Sequence, residues 1–274
     1  MTRSTSIIYN TVDRVLRGDM FHTVTRSTVI ADMAAYPPDW PVVGVGTTNW
    51  LKRHGEVIVE GTAGELRFLW SDPNSEPEAL VLDLRREKPE DGLVTPQFGV
   101  DDNEPNFAFL ALAICNPASA FTLDLGPVEN AHLALRAQLE AQNLGVAGVQ
   151  LGGSFDRVRF TAAYHLPLTG IDLSKGHVGD DYFRTGETVD SEWVMSGLYA
   201  ANPSLHPLFS VPNVPLHLHG YSLGERRGGH INSAAAGHVV ATIWPVDDLT
   251  MKLFNVARAM NPVRPEAQEA NPPQ

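Results

Sequence analysis

Three histidines in the last quarter of the chain have the spacing of a metal-binding site. His217 and His219 are separated by one residue, and His230 follows 11 residues after His219. Residues two apart in a β-strand point to the same face, so the first two imidazoles would project together. The turn-forming stretch 224–229 can then bring His230 alongside them. Three neutral imidazoles that leave a fourth position open are the ligand set typical of catalytic zinc, so the spacing predicts a site for a divalent transition metal, zinc first.

This spacing alone leaves alternatives open. A His-x-His pair occurs often by chance and can consist of two solvent-facing strand residues. His238 is a second candidate for the third ligand, in place of His230. The single cysteine, Cys115, ends the apolar run 107–115 and is expected to be a buried hydrophobic residue, which leaves no thiolate zinc site.

The segments that would position these histidines have mostly strand character. They are short, rich in valine, leucine and threonine, and bounded by glycine, asparagine and proline. The predicted strands are residues 42–48, 56–60, 65–70, 79–83, 107–115, 121–125, 155–165, 194–200, 216–223, 238–244 and 249–254.

Three segments have the periodicity of helices. Residues 7–17 place four apolar side chains on one helical face, residues 25–35 end at a pair of prolines, and residues 129–143 carry Leu135 and Leu139 four positions apart. Strands and helices do not alternate regularly, which disfavours a doubly wound fold. The predicted fold class is α+β, with mixed or antiparallel β-sheets and a few helices.

The chain is expected to divide into two halves and a tail. Residues 1–150 are predicted to form a mixed α/β half, and residues 151–258 a β-rich half that carries the histidines. Residues 259–274 are a proline-rich tail without a periodic pattern, and the acidic, proline-rich segment 88–105 is predicted to be a loop.

The composition excludes several classes of partner. Of the 274 residues, 43% are hydrophobic and 19% charged, as in an ordinary soluble enzyme, and the net charge is −12. An acidic protein whose longest basic cluster is Arg226–Arg227 is not expected to bind nucleic acid. No apolar run reaches the length of a membrane span, and residues 1–10 lack the apolar core of a signal peptide, so we expect a cytoplasmic protein.

Residues 212–233 (PNVPLHLHGYSLGERRGGHINS) resemble the zinc segment of bacterial α-acetolactate decarboxylases, whose pattern is V-P-G-Y-H-L-H-F, a polar turn and G-G-H. The spacing from the second to the third histidine matches without a gap. Further stretches resemble the family in the same order, so that the resemblance runs from about residue 7 to residue 245. They are residues 8–20 (IYNTVDRVLRGDM), 44–49 (GVGTTN), 55–58 (GEVI) and 153–158 (GSFDRV).

The resemblance implies the fold of that family, a homodimer, and a zinc enzyme acting on an α-hydroxy-β-keto acid. In such an enzyme the metal binds the hydroxyl and carbonyl oxygens of the substrate and stabilises the enediolate left when carbon dioxide departs. In such an enzyme the carboxyl group of a glutamate donates or accepts the proton that the reaction transfers. By motif this glutamate falls on Glu56, and Glu65 is the second candidate.

Two departures from the family pattern bear on the reaction. The chain carries about two extra residues in the loop before Glu56, and it has Thr161 where the family has an arginine that binds the substrate carboxylate. Arg159 shares a strand face with Thr161 and can reach the same cavity from one pleat away. The alternative function is therefore a metal-dependent aldol, isomerase or cyclase reaction on a larger β-dicarbonyl substrate. A third hypothesis is a small-molecule-binding scaffold whose histidines are residual.

Overall fold

Two β-sheets and four α-helices make up the part of the chain that the computed structural model describes, which comprises residues 3–18, 23–48, 55–72, 80–83, 106–163 and 183–252. The prediction of an α+β fold with mixed and antiparallel sheets is confirmed. The predicted loop 88–105 and the tail 259–274 lie outside the described residues. Among the described helices, none combines the length and the apolar character needed to cross a membrane.

The first sheet has the strand order β13-β1-β7-β3-β4-β5-β6, with β2 paired to β7. Its pairs are antiparallel except for β1 and β13, which run parallel. The strands are β1 (Thr5–Tyr9), β2 (Val24–Thr25), β3 (Val42–Thr48), β4 (Glu56–Gly61), β5 (Leu66–Asp72), β6 (Leu80–Asp83), β7 (Asn106–Ile114) and β13 (Asp248–Lys252).

The second sheet is antiparallel and contains the histidines. Its order is β11-β10-β9-β12-β8, and β11 also pairs with β12, so that β10, β9, β12 and β11 close into a ring. Each predicted strand has a counterpart among the described residues, but β9, β10 and β12 are much longer than predicted, at 18, 18 and 19 residues. The strands are β8 (Phe121–Val128), β9 (Val146–Ala163), β10 (Phe183–Ala200), β11 (Leu216–Ser222) and β12 (Arg227–Pro245).

The prediction of one helix over residues 7–17 is wrong. The first part is strand β1, and the helix is limited to α1 (Val12–Leu16). Asn10 separates them: its backbone adopts a φ of 59°, and its side-chain amide donates a hydrogen bond to the carbonyl of Ala108 at 2.8 Å. Thr11 then accepts a hydrogen bond from the backbone N–H of Arg14 and caps the short helix.

The other helices pack on the sheets. The two that were predicted are α2 (Arg26–Met33) and α3 (Ala131–Ala141), the latter capped by Asn130 and burying Leu135 and Leu139. The single-turn helix α4 (His206–Phe209) was not predicted.

A hydrophobic cluster joins the two sheets. From the first sheet it includes Val43 and Val45, and from the second Leu198 and Trp244, all of them buried. The side chains of α1 belong to the same cluster. The cluster places α1 and the first sheet against the ends of β9 and β10, and the candidate site lies there.

Candidate metal centre

Strand pairing brings the three histidines together. His217 and His219 lie on one face of β11, and His230 on β12 is the register partner of His219. His230 is at the same time the partner of Thr161 on β9. The ligand nitrogens of the three rings all lie within 4.8 Å of one another. Three histidines this close can hold a metal ion.

Backbone carbonyls determine which ring nitrogen faces the site. Nδ1 of His217 donates to the carbonyl of Phe209, at the end of α4. Nδ1 of His219 donates to the carbonyl of Val57 on β4 at 2.9 Å. A carbonyl oxygen can only accept, so both Nδ1 atoms carry the proton and both Nε2 atoms present a lone pair. Such carbonyl partners are typical of histidines that ligate a metal through Nε2.

The arrangement of the histidine rings is favourable only when a cation lies between them. Nε2 of His217 and Nε2 of His219 are 3.0 Å apart. Burial, the largest cause, lowers the pKa of His217 to about 4 and the pKa of His219 and of His230 well below the ordinary value, so the rings are neutral at pH 7. Two lone pairs then face each other without a proton between them. A divalent cation bound by both nitrogens removes this repulsion.

Glu56 is the carboxyl group beside the histidines. It lies at the start of β4, only 5% exposed, and its Oε2 is 3.4 Å from Nε2 of His219. Its Oε1 accepts a hydrogen bond from the backbone N–H of Ala163 at 3.0 Å, and the Thr47 hydroxyl lies 3.5 Å from Oε2. Burial raises the pKa of Glu56 to about 7, although these two hydrogen bonds oppose the shift. The group can therefore exchange a proton near neutral pH.

A cavity of about 330 Å³ opens onto this cluster, which is within the range of small-molecule sites. It lies between α1, the end of the first sheet and the ends of β9 and β10. The described lining residues are Val12, Val15, Leu16, Thr47, Glu56, Phe109, Thr161, Ala163, Phe183, Thr185, Ser210, Val211, His217 and His230.

Thr161 lies in this cavity, as the resemblance implies, but Arg159 is not among the described lining residues. Arg159 is 58% exposed, and its Nε lies 2.5 Å from Oε2 of Glu187 on β10. Glu187 is the register partner of Arg159, which explains this cross-strand ion pair. The pair lies two residues along β9 from Thr161.

Two further candidates lie away from the cluster. Glu65 is exposed in the turn between β4 and β5, so the structure brings Glu56 to the histidines and not Glu65. His238 is 64% exposed and lies 3.2 Å from Asp124, while His230 occupies the third position. A β-strand separates residues eight apart by about 25 Å or more, so the two histidines of β12 cannot substitute for each other.

Several contacts of the site were not predicted. The carbonyls of Phe209 and Val57 belong to the backbone, and no side-chain pattern points to them. Thr47 lies near the end of β3 and Phe109 lies within β7, and both resemble core residues of apolar strands. The apolar face of α1 was visible in the sequence, but its position over the cavity depends on the packing of the sheets.

The position of α4 allows a prediction about His206. Nε2 of His206 hydrogen-bonds the carbonyl of Ala200 at 2.9 Å and so anchors the helix whose last residue orients His217. We expect His206→Leu to weaken zinc affinity about 10-fold or more, measured by competition with a chromophoric chelator. His206→Gln keeps a donor and should retain most of the affinity. Equal affinity in both variants and the wild type would show that α4 does not orient the ligand.

Comparison with known proteins identifies the fold. No protein-family model matches the chain, and neither does any curated protein. Acetolactate decarboxylase from Bacillus subtilis subspecies spizizenii has a similar structure, with a TM-score of 0.64 at 15% identity over 94% of this chain and 93% of that one. The α-acetolactate decarboxylase of Bacillus subtilis strain 168 gives 0.63 at 15% identity over 95% and 92%.

A Staphylococcus aureus protein of unknown function, described as similar to α-acetolactate decarboxylase, gives a TM-score of 0.62 at 14% identity over 91% of this chain and 89% of that one. The similarity extends over more than nine tenths of the chain in each case. At sequence identities of 14–15%, this structural similarity shows a shared fold and nothing more. The predicted acetolactate-decarboxylase-like fold is confirmed.

Proposed function

We propose that the chain is a metal-dependent carbon–carbon lyase, with zinc as its metal, that decarboxylates an α-hydroxy-β-keto acid. One observation carries the proposal: the facing Nε2 atoms of His217 and His219, 3.0 Å apart, with a carboxyl oxygen of Glu56 3.4 Å from the second of them. A Lewis acid beside a buried carboxyl group suits the removal of carbon dioxide next to a carbonyl. The fold shared with acetolactate decarboxylases supports the same class of reaction.

In this proposal His217 and His219 would hold the metal through Nε2, and His230 would be the third ligand. When bound, the metal supplies a Lewis acid for the oxygens of the substrate. The three rings are neutral because they are buried, so they add no positive charge that would repel the ion. The carbonyls of Phe209 and Val57 keep two of the rings in the ligating tautomer.

Glu56 supplies the proton. When the bond to the departing carboxylate breaks, its electron pair remains on the substrate carbon, which must then take up one proton. Protonated Glu56 can donate this proton and recover it from water. The N–H of Ala163 holds Oε1, and this contact leaves Oε2 on the side of His219.

Arg159 and Glu65 differ in their position relative to the cavity. Arg159 is proposed to contact a substrate carboxylate at the mouth of the cavity, since it shares a strand face with Thr161 and its ion pair with Glu187 is exposed. Glu65 is given no part in the reaction, because it lies in an exposed turn.

A second function is favoured by the composition of the cavity wall. Among its described lining residues there is no arginine or lysine. A substrate without a carboxylate fits such a wall, and the same metal and Glu56 can support an aldol, isomerase or cyclase reaction on a larger β-dicarbonyl compound. Such a reaction retains every carbon atom.

Product analysis separates the two functions. We would incubate zinc-loaded protein with 2-acetolactate and with longer 2-alkyl-2-hydroxy-3-keto acids, and measure released carbon dioxide and the mass of the product. We expect one carbon dioxide per turnover, which chelator-treated protein should not release. Absence of release from every acid would overturn the decarboxylase. Products of unchanged carbon count from β-dicarbonyl compounds would then favour the second function.

A further inference from the structure

Apolar side chains line the cavity on two sides. Val12, Val15 and Leu16 form one side, since all three apolar residues of α1 line the cavity. Phe183, which is half-buried, and Val211, which is 38% exposed, contribute to the opposite side. Apolar side chains around an opening bind an apolar group that enters it.

Apart from Glu56 and the histidines, the polar side chains that line the described part of the cavity are uncharged. Thr161 and Thr185 are register partners on β9 and β10, and both line the cavity. Thr161 is also the register partner of His230. Hydroxyl groups in this position can hydrogen-bond a carbonyl or hydroxyl oxygen of a ligand that reaches the metal.

The electrostatics disfavour an anion between these apolar walls. Among the described lining residues the only charged type is a glutamate, Glu56, and there is no arginine or lysine. Of the neighbouring cations, Arg159 is paired with Glu187, and Arg17 on α1 is paired with Asp13. A carboxylate placed against the apolar walls would lose its hydration without gaining a partner.

We propose that the preferred ligand of this cavity is a carbonyl compound with an uncharged, apolar tail, whose oxygens face the histidines and whose tail lies between α1 and Phe183. This inference rests on the proposed function for the position of the oxygens and refines its substrate class. The volume of about 330 Å³ equals that of about 11 water molecules, which leaves room for an alkyl or aryl tail.

The test is a calorimetric titration with 2-hydroxy-3-ketones whose alkyl tails have one to five carbons. Each ketone is compared with a compound of equal length whose alkyl tail ends in a carboxylate. On zinc-loaded protein we expect affinity to rise about fourfold per methylene, the value for burial of one CH₂ group. The neutral compound should bind tighter than its acid at every length. Phe183→Ala should reduce the increase per methylene, whereas Val189→Ala, an exposed position on the same strand, should leave it unchanged.

Metal-free protein is titrated in parallel, because the walls and not the metal determine the chain-length dependence. In metal-free protein the affinity should still rise with tail length, although every compound should bind more weakly. A flat series, or tighter binding of the acids, overturns the inference even if zinc binds. Conversely, a protein that takes up no zinc but retains the chain-length dependence contradicts the proposed lyase and leaves the apolar site in place.

Discussion

The His217→Ala/His219→Ala double variant should lose the metal that the wild type binds. We expect about one zinc ion per chain in the wild type and none in the variant, measured by mass spectrometry on tag-free protein. The reason is that two of the three facing ring nitrogens are removed, and one buried imidazole alone cannot hold the ion. His238→Ala removes an exposed histidine from the same strand as His230 and should keep the metal.

Zinc should also stabilise the wild type selectively. At a free concentration 100 times the dissociation constant, binding adds about 2.7 kcal/mol to the free energy of unfolding. For a chain of this length the melting temperature should rise by about 5–10 °C, and that of the double variant should not change. A wild type that neither contains zinc nor shifts on its addition would contradict the metal site, and with it the lyase.

Glu56→Gln should lower kcat for decarboxylation by about 100-fold to 10,000-fold, the range for loss of a general acid. Zinc content should not change, since the three histidines remain. The amide retains an acceptor for the N–H of Ala163, so we expect the variant to fold. It cannot donate a proton as a carboxylic acid does, and this difference is what the assay measures.

Glu65→Gln provides the control for this variant. Glu65 lies in an exposed turn, and its substitution should change neither kcat nor zinc content. If Glu56→Gln keeps full activity while it retains zinc, the proton comes from another group or from solvent. If both variants lose activity equally, the assignment of the proton to Glu56 is wrong.

The histidine cluster was predictable because its three residues lie close together in the sequence. The period of two in a β-strand places His217 and His219 on one face, and a short turn brings the chain back to His230. Thr161 could be assigned to the cavity only through the resemblance to a family. Glu56 could be singled out only through the resemblance to a family, because a glutamate at the start of a strand carries no distinctive pattern of its own.

The rest depends on contacts between distant parts of the chain. The second half of β9 and the first half of β10 carry charged residues such as Arg159 and Glu187, whose cross-strand ion pair compensates for low strand propensity. In the sequence, Ile7 and Ile8 fit the apolar face of a helix. In the structure they belong to a strand because β1 pairs with β7 on one side and with β13 on the other. The carbonyls that orient His217 and His219 come from residues that the metal-site motif does not include.

The ring formed by β10, β9, β12 and β11 has a consequence for the order of folding and metal uptake. Because β11 is hydrogen-bonded along both edges, a slip of one residue, which would turn both histidines away from the cavity, must break pairings with two strands at once. The ligands are thus in place before any ion arrives. Unlike a zinc finger, this chain should fold first and load a metal afterwards, so the identity of the bound ion would depend on which ions are available to a finished site.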